Sequence, residues 1–364
     1  MARPARCTAL RSGGVTALVT VAALLAAPVQ AQPRAPHLRP AENTDEGGIW
    51  SISEKTEVKA RTSAERNRDP ALNAYVTGLA CKLAADYCDE LRVYVMDRPF
   101  FNASMAPNGY TEVWSGLLLR AQTEDELAFV LGHEISHFAE NHSVESWRAM
   151  KSRAANAMVL QAVVGVVAMG AAVNSGSAQS ANDIMRTAGS VNDLIYLGAI
   201  AGYFSYSRDN ESEADALGFA RMVKAGYDPG AAVAIWRDQI AETNASSFPR
   251  VRDAQARASI FSTHPLSADR VQALEGLAKA APPARAGDRH AYRAVIRPHL
   301  GAWLKDDLRR RDYGETLALI DRLDALGEDR GLLAYYRAEA FRQRRGDGDL
   351  AKAREAYALS LIHI

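Results

Sequence analysis

The sequence contains few cysteines, no surplus of positive charge and no very long apolar run. Its 364 residues include three cysteines, and 43 lysines and arginines balance 43 aspartates and glutamates. This balance argues against a nucleic-acid-binding protein, because no basic surplus is available to neutralise phosphates. The composition, 48% hydrophobic and 24% charged, is that of an ordinary globular protein.

The first 31 residues have the pattern of a cleavable signal peptide. Three arginines precede an apolar stretch at 15–28, and small residues at 29–31 offer a cleavage position after Ala31. The alternative is an N-terminal membrane anchor, although this apolar stretch is short for a membrane span. Cleavage removes three arginines and no acids, which leaves 40 basic and 43 acidic residues.

Cleavage also removes Cys7, so that Cys81 and Cys88 are the remaining cysteines. Export favours a disulfide between them. On one continuous helix, residues seven apart lie about 10 Å from each other, which is beyond bridging range. A bond therefore requires the helix to end between them, and we predict that end near Asp86. The alternative is a pair of free buried thiols.

The mature chain divides into a leader, a large domain and a helical C-terminal region. Residues 32–48 have little apolar content and predict a flexible leader, followed by a domain at 49–280. The run "APPARAG" at 281–287 predicts a linker. Beyond it, 288–364 predicts short helices whose small, aromatic and leucine residues resemble tetratricopeptide (TPR) repeats, with room for about two of them.

The last six residues, "LSLIHI", match one reading frame of a common sequencing adaptor. We therefore expect that they are not native and that the repeat region is truncated here. A native stop codon directly after Ile364 would contradict this hypothesis.

Short β-rich segments stand among amphipathic helices in the large domain. "LRVYVM" (91–96) alternates like a strand, and "FFNASMA" and "GYTEVW" flank "PNG", which predicts a hairpin. Thr123 and Glu126 predict a capping box at the start of the next helix. The sequence thus predicts an α+β fold, in which a mainly helical domain with a small β-sheet precedes a short α-helical region.

Two apolar stretches, 158–173 and 194–206, are rich in small residues. Both are shorter than a comfortable membrane span. They predict either two buried helices that pack closely or a hairpin in peripheral contact with a membrane surface.

"HEISH" (133–137) is the motif that carries chemistry. His133 and His137 are four residues apart, so both imidazoles project from one helix face and can reach one metal ion. Glu134 need not bind the metal and can instead take a proton from metal-bound water. The alternative is a solvated helix face with incidental histidines.

A catalytic zinc ion needs a third protein ligand and an open position. His142 lies one residue short of the "HExxHxxGxxH" spacing, which leaves it beside the site or on the surface. In "ESEAD", Glu211 and Asp215 share a helix face, while Glu213 points elsewhere. Glu211 can bind zinc as Asp215 accepts the N–H of a ligating histidine. Both could instead be surface acids.

Together these motifs resemble the HtpX/BepA-type zinc peptidases, gluzincins that also include the CAAX prenyl-protein proteases. The likeness covers roughly residues 50–280, since "NASMAPNGYTEVWSGLL" and "STHPLSADR" also resemble family segments. The signal peptide and repeats resemble the periplasmic, BepA-like branch. The resemblance implies a zincin-type domain with one Zn²⁺ ion, polypeptide substrates, and a repeat region that recruits clients or an outer-membrane assembly machinery.

The resemblance also implies a role for each site residue. The implied zinc ligands are His133, His137 and Glu211; Glu134 is the implied general base, and Asp215 orients a ligand. His264 matches the family's His-Pro position, where it can bind the open metal position, stabilise the oxyanion or merely cap a helix. Other candidate oxyanion donors are Tyr206 and Arg208. The edge strand to which substrate adds is implied to include Asn102, Ala103, Ser104 and Met105.

We therefore expect a periplasmic zinc endopeptidase that acts in protein quality control. The family analogy gives misassembled outer-membrane proteins as substrates. The alternative is a chaperone-like assembly factor in which proteolysis is latent.

Overall fold

Helices make up most of the described chain, and one small sheet lies among them. The computed structural model describes residues 33–152, 206–256 and 268–363, with a few isolated positions between 155 and 182. The predicted mainly helical α+β fold is therefore confirmed. In chain order, the helices with both ends described are α1 (Asp45–Thr62), α2 (Pro70–Leu83), α3 (Ser115–Arg120), α4 (Glu124–Ala139), α5 (Arg208–Lys224), α6 (Gly230–Asn244), α7 (Pro249–Ala256), α8 (Ala268–Ala280), α9 (Arg289–Arg309), α10 (Tyr313–Asp324), α11 (Arg330–Arg344) and α12 (Asp349–His363).

Several predicted features lie outside the described residues. These are the signal peptide at 1–31, His264 and, apart from isolated positions, the apolar stretches 158–173 and 194–206. Among the residues that are described, no helix has both the length and the apolar character needed to span a membrane.

The sheet contains β1 (Arg92–Met96), β2 (Ala103–Met105) and β3 (Tyr110–Trp114) in the order β1-β3-β2. β1 and β3 are parallel, whereas β2 and β3 form an antiparallel hairpin. Gly109 in the hairpin turn has a φ of +81°, and a Cβ atom there would lie 2.3 Å from the carbonyl oxygen of Glu90. Glycine is therefore required at this turn, and β2 lies at an edge of the sheet.

A disulfide joins Cys81 to Cys88, with their Cα atoms 4.6 Å apart. α2 ends at Leu83 and a 3-10 helix, Ala85–Glu90, follows it. This change of helix type folds the chain back, as the sequence argument required for a bond at this spacing.

The predicted flexible leader at 32–48 is wrong in part, because the structure orders both of its ends. α1 already begins at Asp45. Arg34 is 8% exposed, its guanidinium lies 4.6 Å from the ring centroid of Phe138, and its backbone N–H donates to the carbonyl of Ala139. This cation–π contact and an ion pair between Arg34 and Glu90 anchor a segment whose composition alone indicated no structure.

The start of α4 shows one half of the predicted capping box. The Thr123 hydroxyl accepts a hydrogen bond from the backbone N–H of Glu126. The Glu126 carboxylate accepts from the N–H of Gln122 rather than from Thr123, at 2.7 Å. The reciprocal hydrogen bond of the capping box is thus made to the residue before the cap, Gln122, and it still satisfies a backbone N–H at the helix start.

α4 and α5 cross at two glycines. A Cβ on Gly132 would lie 2.9 Å from the carbonyl oxygen of Gly218, and a Cβ on Gly218 would lie 2.6 Å from the backbone nitrogen of His133. Any larger side chain at either position would push the helices apart. This close approach sets the histidines of α4 against the acids of α5.

The predicted boundary at 281–287 does not separate two compact units. Ala31–Ile364 forms one unit, and α9 packs against α3. The Tyr292 hydroxyl donates to the carbonyl of Leu118 at 2.8 Å, and Trp303 belongs to the same apolar core as α4. The first helix after the predicted linker is thus part of the core.

Candidate metal centre

α4 places His133 and His137 one turn apart in a buried position. Their Nε2 atoms lie 3.0 Å from each other, and both side chains are at most 1% exposed. Two imidazoles that aim the same ring nitrogen at one point have the geometry of metal ligands rather than of a solvated helix face.

Glu211 on α5 completes a three-residue cluster. Its carboxylate oxygens lie 3.6 Å from Nε2 of His133 and 3.5 Å from Nε2 of His137. Ligands bound tetrahedrally at about 2.0–2.1 Å from zinc lie about 3.3 Å from one another. Two imidazoles and one carboxylate at these separations therefore fit a catalytic zinc ion, and they form the group that could hold a metal among the described residues.

Asp215 lies one turn beyond Glu211 and holds the other side of His133. Its Oδ1 atom is 3.0 Å from Nδ1 of His133. Burial alone would raise the pKa of Asp215, but hydrogen bonds from Arg270 and His133 outweigh it and lower the pKa to about 2. Asp215 is therefore charged and can fix the tautomer of His133 by accepting its Nδ1–H, so that Nε2 is the ring nitrogen directed at His137 and Glu211.

Arg270, on α8, was missed by the sequence argument. Its guanidinium donates to both oxygens of Asp215, at 2.6 and 2.8 Å, and its Nη1 atom lies 2.7 Å from Glu211. One cation thus supports two buried carboxylates. The arginine ends the "STHPLSADR" segment, so position in a motif was the available signal, whereas spacing gave none.

His142 is buried beside the cluster and not on the surface. Its Nδ1 atom lies 2.9 Å from Nδ1 of His137, and its Nε2 atom lies 3.3 Å from a carboxylate oxygen of Glu213. Glu213, expected to point elsewhere, is indeed directed away from the metal ligands with half its side chain exposed. It still reaches the site through His142.

Tyr206 packs against the ring of His137. The two rings stack with centroids 3.9 Å apart, and the Tyr206 hydroxyl pairs with Ser143 at 2.8 Å. Burial, together with the negative charges of Glu134 and Glu211, raises the pKa of Tyr206. The phenol therefore stays protonated at neutral pH and remains a hydrogen-bond donor.

Glu134 is buried on α4 next to the first histidine, with 4% exposure. Its charge acts on both Tyr206 and Arg270. A carboxylate in this position, beside the metal ligands and not among them, has the placement of a general base.

The edge strand β2 packs directly against α4. Ser104 is exposed, while Ala103 and Met105 are buried, and the carbonyl of Asn102 accepts from Trp114. Its role in substrate binding stays a prediction.

Arg208, proposed as an oxyanion donor, is exposed and lines a cavity of about 530 Å³ between α5 and α8. Glu211 and Arg270 line the same cavity, together with apolar residues such as Leu274. The cavity therefore lies directly beside the two buried acids of the candidate metal centre, Glu211 and Asp215.

Comparison with known proteins gives a consistent result. Residues 66–278 match the sequence model of peptidase family M48. The chain is 31% identical over 239 residues to a putative beta-barrel assembly-enhancing protease of Vibrio cholerae serotype O1, and this alignment covers 63% of this chain and 44% of the relative. It is 25% identical over 241 residues to the beta-barrel assembly-enhancing protease of Escherichia coli strain K12, covering 64% of this chain and 45% of the relative.

A mitochondrial relative is also similar. The mitochondrial metalloendopeptidase OMA1 of Schizosaccharomyces pombe is 29% identical over 183 residues, covering 50% of this chain and 45% of the relative. The chain therefore spans less than half the length of each of these three relatives. The segment that matches the family model, residues 66–278, contains the candidate metal centre.

Proposed function

Because the chain belongs to peptidase family M48 and carries a three-ligand cluster, we propose that it is a zinc-dependent endopeptidase. The observation that carries the proposal is the convergence of His133, His137 and Glu211 on one point. Their distances fit zinc, and three protein ligands leave a fourth position for water or substrate.

The residues around the cluster divide the work of peptide hydrolysis. A bound zinc ion would polarise the scissile carbonyl and acidify the attacking water. Glu134 accepts a proton from that water and returns it to the amine leaving group. Asp215 keeps His133 in the ligating tautomer, and Arg270 holds the carboxylates of Asp215 and Glu211 in place. Tyr206 is a neutral donor beside the site, where it can stabilise an oxyanion.

We further propose that the substrates are unfolded or misassembled polypeptides of the cell envelope. Two relatives bear the name beta-barrel assembly-enhancing protease, and the predicted signal peptide agrees with export to the periplasm. Residues 102–105 would offer backbone hydrogen bonds to an extended substrate, a mode that tolerates many sequences. The repeat region would contact an outer-membrane assembly machinery.

A chaperone-like assembly factor with latent proteolysis is the less favoured alternative. It would need the ligands and the polypeptide-binding edge but not the base. Glu134→Gln therefore separates the two functions, because it removes proton transfer and leaves the ligand set unchanged.

The experiment measures metal content and cleavage together. We expect about one zinc ion per chain by elemental analysis in the parent, in Glu134→Gln and in Glu213→Gln, and loss of the ion in Glu211→Gln. Cleavage of an unfolded polypeptide should fall by a factor of about 10³ or more in Glu134→Gln. A folded parent without metal would refute the proposal, and equal zinc in the Glu211 and Glu213 variants would show that the wrong glutamate was chosen.

A further inference from the structure

His142 links a metal ligand to a carboxylate at the protein surface. It is 2% exposed and lies between Nδ1 of His137, at 2.9 Å, and Oε2 of Glu213, at 3.3 Å. The Glu213 side chain is 51% exposed. A row of three side chains thus runs from the buried ligand to solvent.

One arrangement of protons satisfies this row when His137 binds an ion through Nε2. A neutral His137 then carries its proton on Nδ1 and donates it to Nδ1 of His142. His142, accepting at Nδ1, carries its own proton on Nε2 and donates to Glu213. The reverse direction would leave His137 with no proton on either nitrogen, which is an imidazolate and not a neutral ligand.

The two histidine ligands are therefore supported in different ways. His133 faces a buried carboxylate directly, since Asp215 lies 3.0 Å from its Nδ1 atom and is held by Arg270. The support that His142 gives to His137 comes from a neutral imidazole, with the carboxylate one step farther out. The tautomer of His137 thus depends on the tautomer of His142.

We propose that His142 is a positioning residue that fixes the tautomer and ring orientation of His137, and that Glu213 fixes His142 in turn. The pair would set how tightly the ion is held without contacting it. This inference rests on the proposed function, because it requires a metal ion on Nε2 of His137. Loss of such an outer partner typically weakens metal affinity by about 10–100-fold.

Two variants of His142 separate hydrogen bonding from packing. In His142→Asn, the amide oxygen can occupy the place of Nδ1 and accept from His137, although the shorter side chain cannot reach Glu213. In His142→Leu, a side chain of similar bulk offers no acceptor at all. Glu213→Gln keeps an acceptor for His142 and Glu213→Ala removes it, which tests the outer end of the row.

The measurement is zinc affinity by competition with a chelator, beside the visible absorption of the Co²⁺-loaded protein. We expect about 10–100-fold weaker zinc binding in His142→Leu and a much smaller loss in His142→Asn. Glu213→Ala should bind more weakly than Glu213→Gln. The Co²⁺ bands should shift in the leucine variant, because the orientation of a ligand changes, and stay near the parent's in the asparagine variant.

Contrary results are distinct from failure of the proposed function. Equal zinc affinities in the parent and both His142 variants would overturn the inference. Zinc binding weakened to the same extent in the Asn and Leu variants would also overturn it, because the effect would then come from packing and not from the hydrogen bond. Should His142→Leu not fold, the order of the two Glu213 variants decides, and equal affinities there overturn the inference. A parent that binds no zinc would overturn the proposed function together with it.

Discussion

At the metal centre, the charge of each buried side chain is compensated by its buried neighbours. Arg270 is 7% exposed and faces two acids, Glu211 and Asp215, that are more deeply buried still. Its charge offsets part of theirs, and a bound divalent cation would offset more. Loss of any one of these charges would therefore leave the others buried and less well compensated.

We predict that Arg270→Gln destabilises the protein most when zinc is absent. Removal of one partner from a buried ion pair typically costs about 3–5 kcal/mol, because the remaining charge stays buried. Zinc bound to Glu211 should recover part of that loss. Thermal unfolding of parent and variant, each with excess zinc and with a chelator, measures the difference.

The matched control is Arg237→Gln, which breaks an exposed pair with Glu275. Exposed pairs contribute about 0–1 kcal/mol, so this variant should resemble the parent in both conditions. An Arg270 variant that loses the same stability with and without zinc would contradict the charge argument.

At the scale of elements, α4 is buried from its second residue, Asp125, to its end. Glu126, in the first turn, is 5% exposed. Burial raises its pKa to about 7, although the hydrogen bond from Gln122 acts in the opposite direction. In the folded protein the Glu126 carboxyl group is therefore mainly protonated below about pH 7. In the unfolded chain it is mainly protonated only below its ordinary pKa of 4.5.

This shift predicts a stability penalty that grows as the pH rises from about 4.5 to about 7 and stays constant above that range. Glu126→Gln mimics the protonated acid and keeps an acceptor for the N–H of Gln122. We expect it to be stabilising by on the order of 2 kcal/mol at pH 8, and by little at pH 5.

Denaturant unfolding at the two pH values, with a chelator in every sample, measures this gain. The exposed Glu355→Gln serves as control and should change stability equally at both pH values. A Glu126→Gln variant that is less stable than the parent at pH 8 would show that the charged carboxylate contributes more as a cap than it costs in burial.

Across the whole molecule, a buried ionic network ties the C-terminal helices to the peptidase helices. Arg120 on α3 donates to Glu242 on α6 at 2.6 Å and to Asp307 on α9 at 2.7 Å. Arg322 on α10 also donates to Glu242. The network spans the predicted domain boundary, so its charges are compensated only when both sides are present.

Truncation after Gly287 should therefore prevent folding of the peptidase region. It removes the buried side chains of Ile296, Leu300 and Trp303. Each contributes about 1.5–3 kcal/mol through burial, and a domain has only about 5–15 kcal/mol in total. Circular dichroism and size-exclusion chromatography should show an unfolded or aggregated product.

Truncation after Gly348 is the control, since it removes α12 and keeps α9–α11. We expect this shorter deletion to retain cooperative thermal unfolding at a lower midpoint. A cooperatively folded 1–287 fragment would restore the two-domain interpretation of the sequence.

The sequence by itself determined the features that depend on local spacing. The four-residue separations in HEISH and ESEAD place His133 beside His137, and Glu211 beside Asp215, on one helix face each, because an α-helix turns every 3.6 residues. Thr123 marks the start of α4, and the hairpin at 107–109 follows from its turn residues. The mainly helical fold could be predicted on this basis, whereas the family followed from the resemblance that the motifs carry. The structure brings His133, His137 and Glu211 together, and their role as zinc ligands stays a prediction.

The tertiary structure decided which distant residues complete the site. Arg270 lies 55 positions from Asp215, and Glu213 lies 71 positions from His142. No periodicity extends over such separations. The close crossing of α4 and α5 at Gly132 and Gly218 brings the two motifs together.

Contacts between distant residues also explain why composition predicted a domain boundary at 281–287 where the folded chain forms one compact unit. A proline- and alanine-rich run predicts a linker from its composition. Whether the helices beyond it belong to a separate domain depends on what they pack against. Arg120 and Asp307, 187 positions apart and fully buried, join the two regions through an interaction that only the folded chain creates.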